Sequence, residues 1–207
     1  MERGIFIVFE GGEGAGKSTQ SRLLAEGLQS QGRVVTRTRE PGGTPAAEAI
    51  REVLLDVANT GLDDRAEALL FAAARGDHAM RVIRPALERG EVVVCDRFLD
   101  SSVAYQGAGR ELGIDRVRDL SLWATRDLIP DLTIVLDIDP TVGLQRVERP
   151  DRLEAEPVEW HARVRQGFLE LAARDPQRYL VVDASDSAES IASLIADRVA
   201  GLLEERT

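Results

Sequence analysis

The chain predicts an α/β fold built on a mostly parallel sheet, and two observations carry that expectation. Short apolar runs rich in β-branched residues recur at 5–9, 34–38, 92–95, 132–136 and 180–182, as in strands buried on both faces. Between them lie stretches with helical spacing of apolar residues, and regular strand–helix alternation produces parallel sheets.

Taken in order, the run at 5–9 opens into a glycine-rich loop, after which Leu23, Leu24 and Leu28 mark a helix. The run at 34–38 is followed by Thr44-Pro45, an N-cap with proline in the first turn. Leu69, Leu70, Ala73 and Met80 suggest a buried stripe within 64–89, and Gly90 ends that helix. The run at 92–95 closes in Asp96-Arg97. Asp139-Pro140 repeats the N-cap pattern after 132–136, and Ile191, Leu194, Ile195, Val199 and Leu202 share one face of a last helix. No internal repeat, low-complexity tract or linker interrupts the pattern, so residues 1–207 are expected to form one domain.

Composition narrows the function. A net charge of −10 argues against nucleic acid and anionic membranes as partners. No apolar run approaches the ~20 residues of a membrane span, and the N-terminus lacks the features of a secretory signal. A lone cysteine, Cys95, is expected as a buried strand residue in a reducing compartment, the cytoplasm. Lys17 is the only lysine among 26 basic residues, so anion binding must otherwise rest on locally concentrated arginines.

Lys17 sits in Gly11-Gly12-Glu13-Gly14-Ala15-Gly16-Lys17-Ser18, which fits G-x-x-x-x-G-K-[ST] between a strand and a helix. Backbone N–H groups of such a loop wrap a phosphate chain at a helix N-terminus. ATP is thus expected on residues 11–19, Gly11 through Ser18 and Thr19, with Lys17 on the β- and γ-phosphates and Ser18 on Mg²⁺. The loop alone leaves the task open, since switches, motors and kinases share it. A GTP switch would carry an [NT]-K-x-D motif, and the single lysine excludes one.

Four further stretches resemble bacterial thymidylate kinase. They are Thr38-Arg39-Glu40-Pro41-Gly42-Gly43-Thr44, Leu70-Phe71-Ala72-Ala73-Ala74-Arg75, Cys95-Asp96-Arg97-Phe98-Leu99-Asp100-Ser101-Ser102-Val103-Ala104-Tyr105-Gln106-Gly107, and Arg149-Pro150-Asp151-Arg152-Leu153-Glu154. The resemblance implies the nucleoside monophosphate kinase version of the P-loop fold: five parallel strands flanked by helices, a short lid at about 143–156, and a homodimer. It implies transfer of the γ-phosphoryl of ATP·Mg²⁺ to dTMP, giving dTDP and ADP on the way to dTTP. Arg97 would bridge the acceptor phosphate, Arg51 would add a second contact, and Asp96 would lie near the metal. Phe71 and Arg75 would stack on and hydrogen-bond thymine, Ser102 and Gln106 would approach its N3 side, and Tyr105 would crowd the 2′ position. Glu40 would orient Arg51 or Arg97. Glu13 would face the 3′-OH of dTMP rather than ATP.

Glu13-Gly14 also stands where some members carry a P-loop arginine. The resemblance then places the charge-stabilising arginine in the lid, among Arg146, Arg149 and Arg152. Arg146 and Arg149, three apart, are expected on one helical face, with Arg152 turned elsewhere, towards Asp151 or Glu154. Asp183-Ala184-Ser185, after the last strand, would border the adenine. Two departures stand out: Ala73-Ala74-Arg75 lacks a polar residue usual beside the base, and the lid is short and contains Pro150 and Glu148. Two other functions compete, a kinase for a different small acceptor and a nucleotide-binding regulatory module.

Overall fold

The computed structural model describes residues 3–204. Five strands form one parallel sheet: β1 (Phe6–Gly11), β2 (Val35–Arg39), β3 (Val92–Asp96), β4 (Leu132–Asp137) and β5 (Tyr179–Asp183), in the spatial order β2-β3-β1-β4-β5. The three inner strands are almost wholly buried, whereas the edge strands β2 and β5 alternate with solvent. β1 lies between β3 and β4, so the chain leaves it at the point where the strand order reverses. In open parallel sheets that crevice is where ligands bind.

The period-two pleat divides the core. Phe6, Val8, Val93 and Cys95 turn to one face, and Ile5, Ile7, Phe9, Val92 and Val94 to the other. The second face is covered by α1 (Lys17–Ser30) and α9 (Ala188–Glu204). The first is covered by α3 (Asp64–His78), α6 (Ile114–Thr125) and α8 (Val158–Arg174), with a π-helical stretch, Val103–Gly109, packed between them. Shorter helices join these: α2 (Pro45–Leu55), α4 (Arg84–Glu88), α5 (Leu99–Ser102) and α7 (Pro140–Leu144). The expected caps are present. Thr44 Oγ1 accepts from Ala47 N at 3.1 Å, and Asp139 Oδ1 from Thr141 N at 2.8 Å.

Helix α3 is rotated from the expected stripe. Leu69 is 57% exposed and Ala73 is also exposed, while Glu67, Phe71, Arg75 and His78 are buried. The inward face of this helix borders a polar cavity, so charged groups with partners occupy it and the aliphatic ones are displaced outward. Leu194 of α9 is likewise exposed, although Ile191, Ile195, Val199 and Leu202 form the expected face.

The end of α7 rests directly on the loop after β1. A Cβ at Gly143 would fall within the radius of the Glu13 carbonyl oxygen, and one at Gly14 would meet the Gly143 carbonyl. Two glycines therefore let two backbones touch. Gly143→Ala should cost about 1–3 kcal/mol through this overpacking, lowering Tm by roughly 2–4 °C per kcal/mol for a chain of this size. Thermal unfolding of the variant measures this, and an unchanged Tm would show that the contact is dispensable.

Candidate active site

A cavity of about 350 Å³ opens at the C-terminal edge of the sheet. On one side it is lined by residues 13–19 of the phosphate loop, and on the other by residues from β2, α2, α3, β3 and the π-helical stretch. The expected acceptor residues Glu13, Glu40, Arg51, Phe71, Arg75, Arg97, Ser102, Tyr105 and Gln106 all border it. Arg146 and Arg149 do not.

The loop is preorganised by its own backbone. Gly16 takes a φ of 89°, and α1 starts at Lys17 without a side-chain cap, leaving the N–H groups of its first turn to an anion. Lys17 Nζ donates to the Gly12 and Gly11 carbonyls at 2.6 and 3.1 Å, which folds the loop around the lysine. Burial first, and repulsion from Arg97 second, bring its ammonium down to about 8, against the attraction of Glu13 and Asp96. Ser18 Oγ donates to Asp96 Oδ2 at 2.5 Å, joining the helix start to the end of β3. These are two hard oxygen donors of the kind that suits Mg²⁺, which usually takes one or two protein oxygens and completes its shell with water and phosphate.

Arg97 follows Asp96 with a φ of 70°, outside the usual range for a residue with a side chain. Its N–H donates to the Phe9 carbonyl at 2.8 Å, which ties this conformation to β1. The side chain turns back across the loop. Nη2 meets both Glu13 oxygens at 3.0 and 3.1 Å, and Nη1 donates to the Gly11 carbonyl and to Ser101 Oγ. The Tyr105 hydroxyl donates to Glu13, and its ring lies under the guanidinium, 5.1 Å from centroid to Cζ. Burial opposes ionisation of Glu13, yet Arg97, Lys17 and the Tyr105 hydroxyl together outweigh it and hold the carboxyl at about 2. The acidic residue of the loop is thus the counter-charge of Arg97.

Around the opposite wall the partners differ from those expected. Glu40 binds neither Arg51 nor Arg97. Its carboxylate accepts from Arg75 Nε at 2.8 Å and pairs with His78 Nδ1 at 2.9 Å. Neighbouring strand residues point to opposite faces, so Arg39 reaches outward to Glu48 while Glu40 turns in under α3. Arg51 instead donates to the Pro41 carbonyl, as Arg39 does. Its ionisation is depressed, by burial first and by the like charge of Arg39 second. Arg75 uses Nε on Glu40, Nη1 on Ser102 and Ser121, and Nη2 on the Phe98 carbonyl, leaving one Nη2 proton for the cavity that it lines.

The lid segment also departs from expectation. Helix α7 ends at Leu144, so Arg146 and Arg149 do not share a helical face. Both arginines are exposed, and Arg146 Nη1 donates to the Gly14 carbonyl at 3.0 Å. Arg152 is turned elsewhere as expected, but to other partners. It is buried, with Nη1 on Glu67 at 2.6 Å and Nε on the Leu54 carbonyl at 2.8 Å. Asp183 and Ser185 bond to each other in the turn after β5, outside the cavity lining.

Sequence reasoning missed three contributors: Glu10, Glu67 and Ser101. Glu67, Phe71 and Arg75 are spaced by four on α3, a face that could have been found. Glu10 is a carboxylate at the end of an otherwise apolar buried strand. Its Oε1 accepts from Phe98 N and Ser101 N at 2.9 and 3.0 Å, and Oε2 from Ser101 Oγ at 2.6 Å. It thereby anchors the turn that carries Arg97.

A family model described as "Thymidylate kinase" matches residues 9–195. A thymidylate kinase of Leifsonia xyli is 57% identical over 202 residues, covering 96% of this chain and 95% of that one. One from Cutibacterium acnes is 50% identical over 200 residues, covering 97% and 98%. The crystal structure of thymidylate kinase from Ehrlichia chaffeensis superposes with a TM-score of 0.76 at 34% identity, covering 97% of this chain and 99% of that one.

Burial first, and Asp100 second, push the Glu10 carboxyl from 4.5 to about 8. A carboxyl with a raised folded value binds its proton more tightly folded than unfolded, so stability falls as pH rises through that window. Tm should therefore decline between about pH 5 and 8, and Glu10→Gln should flatten the decline. Equal slopes for the two proteins would remove Glu10 as the source.

Proposed function

The chain belongs to the thymidylate kinase family and is a dTMP kinase, a phosphotransferase of nucleotide biosynthesis in a family that uses ATP; from that premise we propose how its residues divide the work. The donor phosphates lie on the N–H groups of residues 11–19, with Lys17 on the β- and γ-phosphates. Mg²⁺ is held by Ser18 and, directly or through water, by Asp96; when bound it supplies charge neutralisation on the phosphate oxygens. The acceptor phosphate is taken by Arg97 and Arg51, with Arg39 beside them. Thymine stacks on Phe71 and is read by Arg75, Ser102 and Gln106. The sugar lies against Tyr105 and Glu13.

The chemistry then needs no general base. The attacking oxygen belongs to a phosphate that is already anionic. It forms a bond to the γ-phosphorus as the bond to the β-bridging oxygen breaks, and ADP leaves with that electron pair. What the protein supplies is alignment and positive charge. Lys17 and Arg97 meet the two ends of the transfer. Arg97 is held by Glu13, so its guanidinium is fixed in direction before the acceptor arrives.

The observation that carries the proposal is the contact of Arg146 with the Gly14 carbonyl. It brings a lid arginine onto the phosphate loop beside Glu13-Gly14, the positions where an arginine would otherwise stand. Arg146, rather than Arg149, thus provides the transition-state charge. Residues 145–150 act as the mobile part of a lid within a single kinase domain, and residues 151–156 dock as its fixed flank. The enzyme works as a homodimer, for which the exposed Leu69 on α3 and Trp123 on α6 offer an apolar face on two helices packed together. The buried, unpaired Cys95 suits the cytoplasm. Among the described residues, no helix is long and apolar enough to cross a membrane.

Arg146→Ala should lower single-turnover transfer at saturating dTMP and ATP by about 10³-fold, the scale of a phosphoryl-transfer arginine, with dTMP affinity nearly unchanged. Arg149→Ala should have a far smaller effect. The reverse order would assign the role to Arg149, and wild-type rates in both variants and in the double variant would end the lid-arginine mechanism.

A further inference from the structure

Glu67 lies in the first turn of α3 with no exposure to solvent, and no step of the transfer uses it. Two arginines pair with it: Arg152 Nη1 meets Oε2 at 2.6 Å and Arg110 Nη2 at 3.3 Å. The remaining strong contact is from Gln106 Nε2 to Oε1, at 2.9 Å. Gln106 is itself 1% exposed and borders the acceptor cavity. An amide can present either its oxygen or its nitrogen to a given side. A carboxylate paired with two guanidinium groups accepts hydrogen bonds only, so it repels the amide oxygen and draws the NH₂. The choice is made for Gln106 before any base enters: NH₂ inward to Glu67, Oε1 towards the cavity.

From this we infer that Glu67 is a positioning residue for base selection, setting Gln106 as an acceptor so that the site takes a pyrimidine with a donor N3–H and rejects one whose N3 is a bare acceptor. Thymine and uracil carry that proton, and cytosine does not. A lone pair of cytosine N3 facing Gln106 Oε1 would leave two acceptors opposed in a buried site, where an unmade hydrogen bond costs most. The inference rests on the proposal that Gln106 faces the base. It adds the origin of the amide's direction. It also links selection to the lid flank, because the carboxylate that orients Gln106 is the one that holds Arg152.

Three variants separate the possibilities: Glu67→Gln, Glu67→Asp and Gln106→Leu, each assayed for kcat and KM with dTMP, dUMP and dCMP, with folding followed by thermal unfolding. Glu67→Gln can offer its own NH₂ to Gln106 and so release the amide to turn. The dCMP-to-dTMP ratio of kcat/KM should rise about tenfold or more, mainly through KM. Glu67→Asp keeps the charge that Arg110 and Arg152 require while drawing the carboxylate back from Gln106, and should shift the ratio in the same direction. A merely structural role would lower all three substrates together. In the wild-type protein the Gln106 side-chain amide protons, identified in NMR spectra by their loss in Gln106→Leu, should be protected from exchange. If Gln106→Leu relaxes the base preference while folded Glu67 variants keep the wild-type ratio, or if those amide protons exchange freely, the inference fails and the base-reading role of Gln106 stands. If Gln106→Leu leaves the dTMP KM and the ratio unchanged, that role fails and takes the inference with it.

Discussion

Where the phosphate loop meets the end of β3, the Glu13 carboxylate and the Arg97 guanidinium face each other at 3.0 Å, largely withdrawn from water. Leaving either charge unpaired there is costly; breaking a buried pair of this kind by removing one partner typically costs about 3–5 kcal/mol. Much of the surrounding structure serves the pair. Glu10 holds the turn that follows Arg97, and Ser101 links the two by donating to Glu10 and accepting from Arg97. The Tyr105 ring lies under the guanidinium, and its hydroxyl completes Glu13. The left-handed backbone at Arg97 persists because these contacts over-determine it.

The same device recurs twice around the cavity wall. Glu40 holds Arg75 and His78, and Glu67 holds Arg110 and Arg152. An enzyme that handles two highly charged anions with a net charge of −10 looks paradoxical from composition alone. Three carboxylates at or behind the cavity wall, Glu13, Glu40 and Glu67, ease it, because they are committed to arginines. Each fixes the direction of a flexible cation, and for Arg97, which lines the cavity, that lowers the entropy to be lost when an anion binds. The remaining acidic residues are largely spread over exposed surfaces away from the cavity.

What was legible in the sequence followed from local physics. Buried parallel strands need apolar β-branched runs, and the phosphate loop needs its glycines, its lysine and its hydroxyl in fixed succession. All five strands appear within two residues of the expected bounds at either end. The residues that the resemblance names for the acceptor border one cavity, but the resemblance did not give their partners. Those depend on which face of a strand or helix turns inward. Hydrophobic spacing misread α3, where Leu69 points out and Glu67, Arg75 and His78 point in, because partnered charges can replace apolar contacts. Arg146 and Arg149 were expected on a helix that ends at Leu144, two residues short of the first of them. Nothing in the spacing of two arginines records where the helix before them stops.

On this view the Glu13 carboxylate serves the acceptor by holding Arg97, and reaches the ATP side only through its attraction for Lys17. Equilibrium dissociation constants of Glu13→Gln, measured separately for dTMP and for ATP, test it most directly. Binding of dTMP should weaken by about tenfold or more, on the scale of a lost charge-assisted contact, while ATP binding in the absence of dTMP changes far less. A folded variant whose ATP affinity changes while its dTMP affinity does not would contradict it.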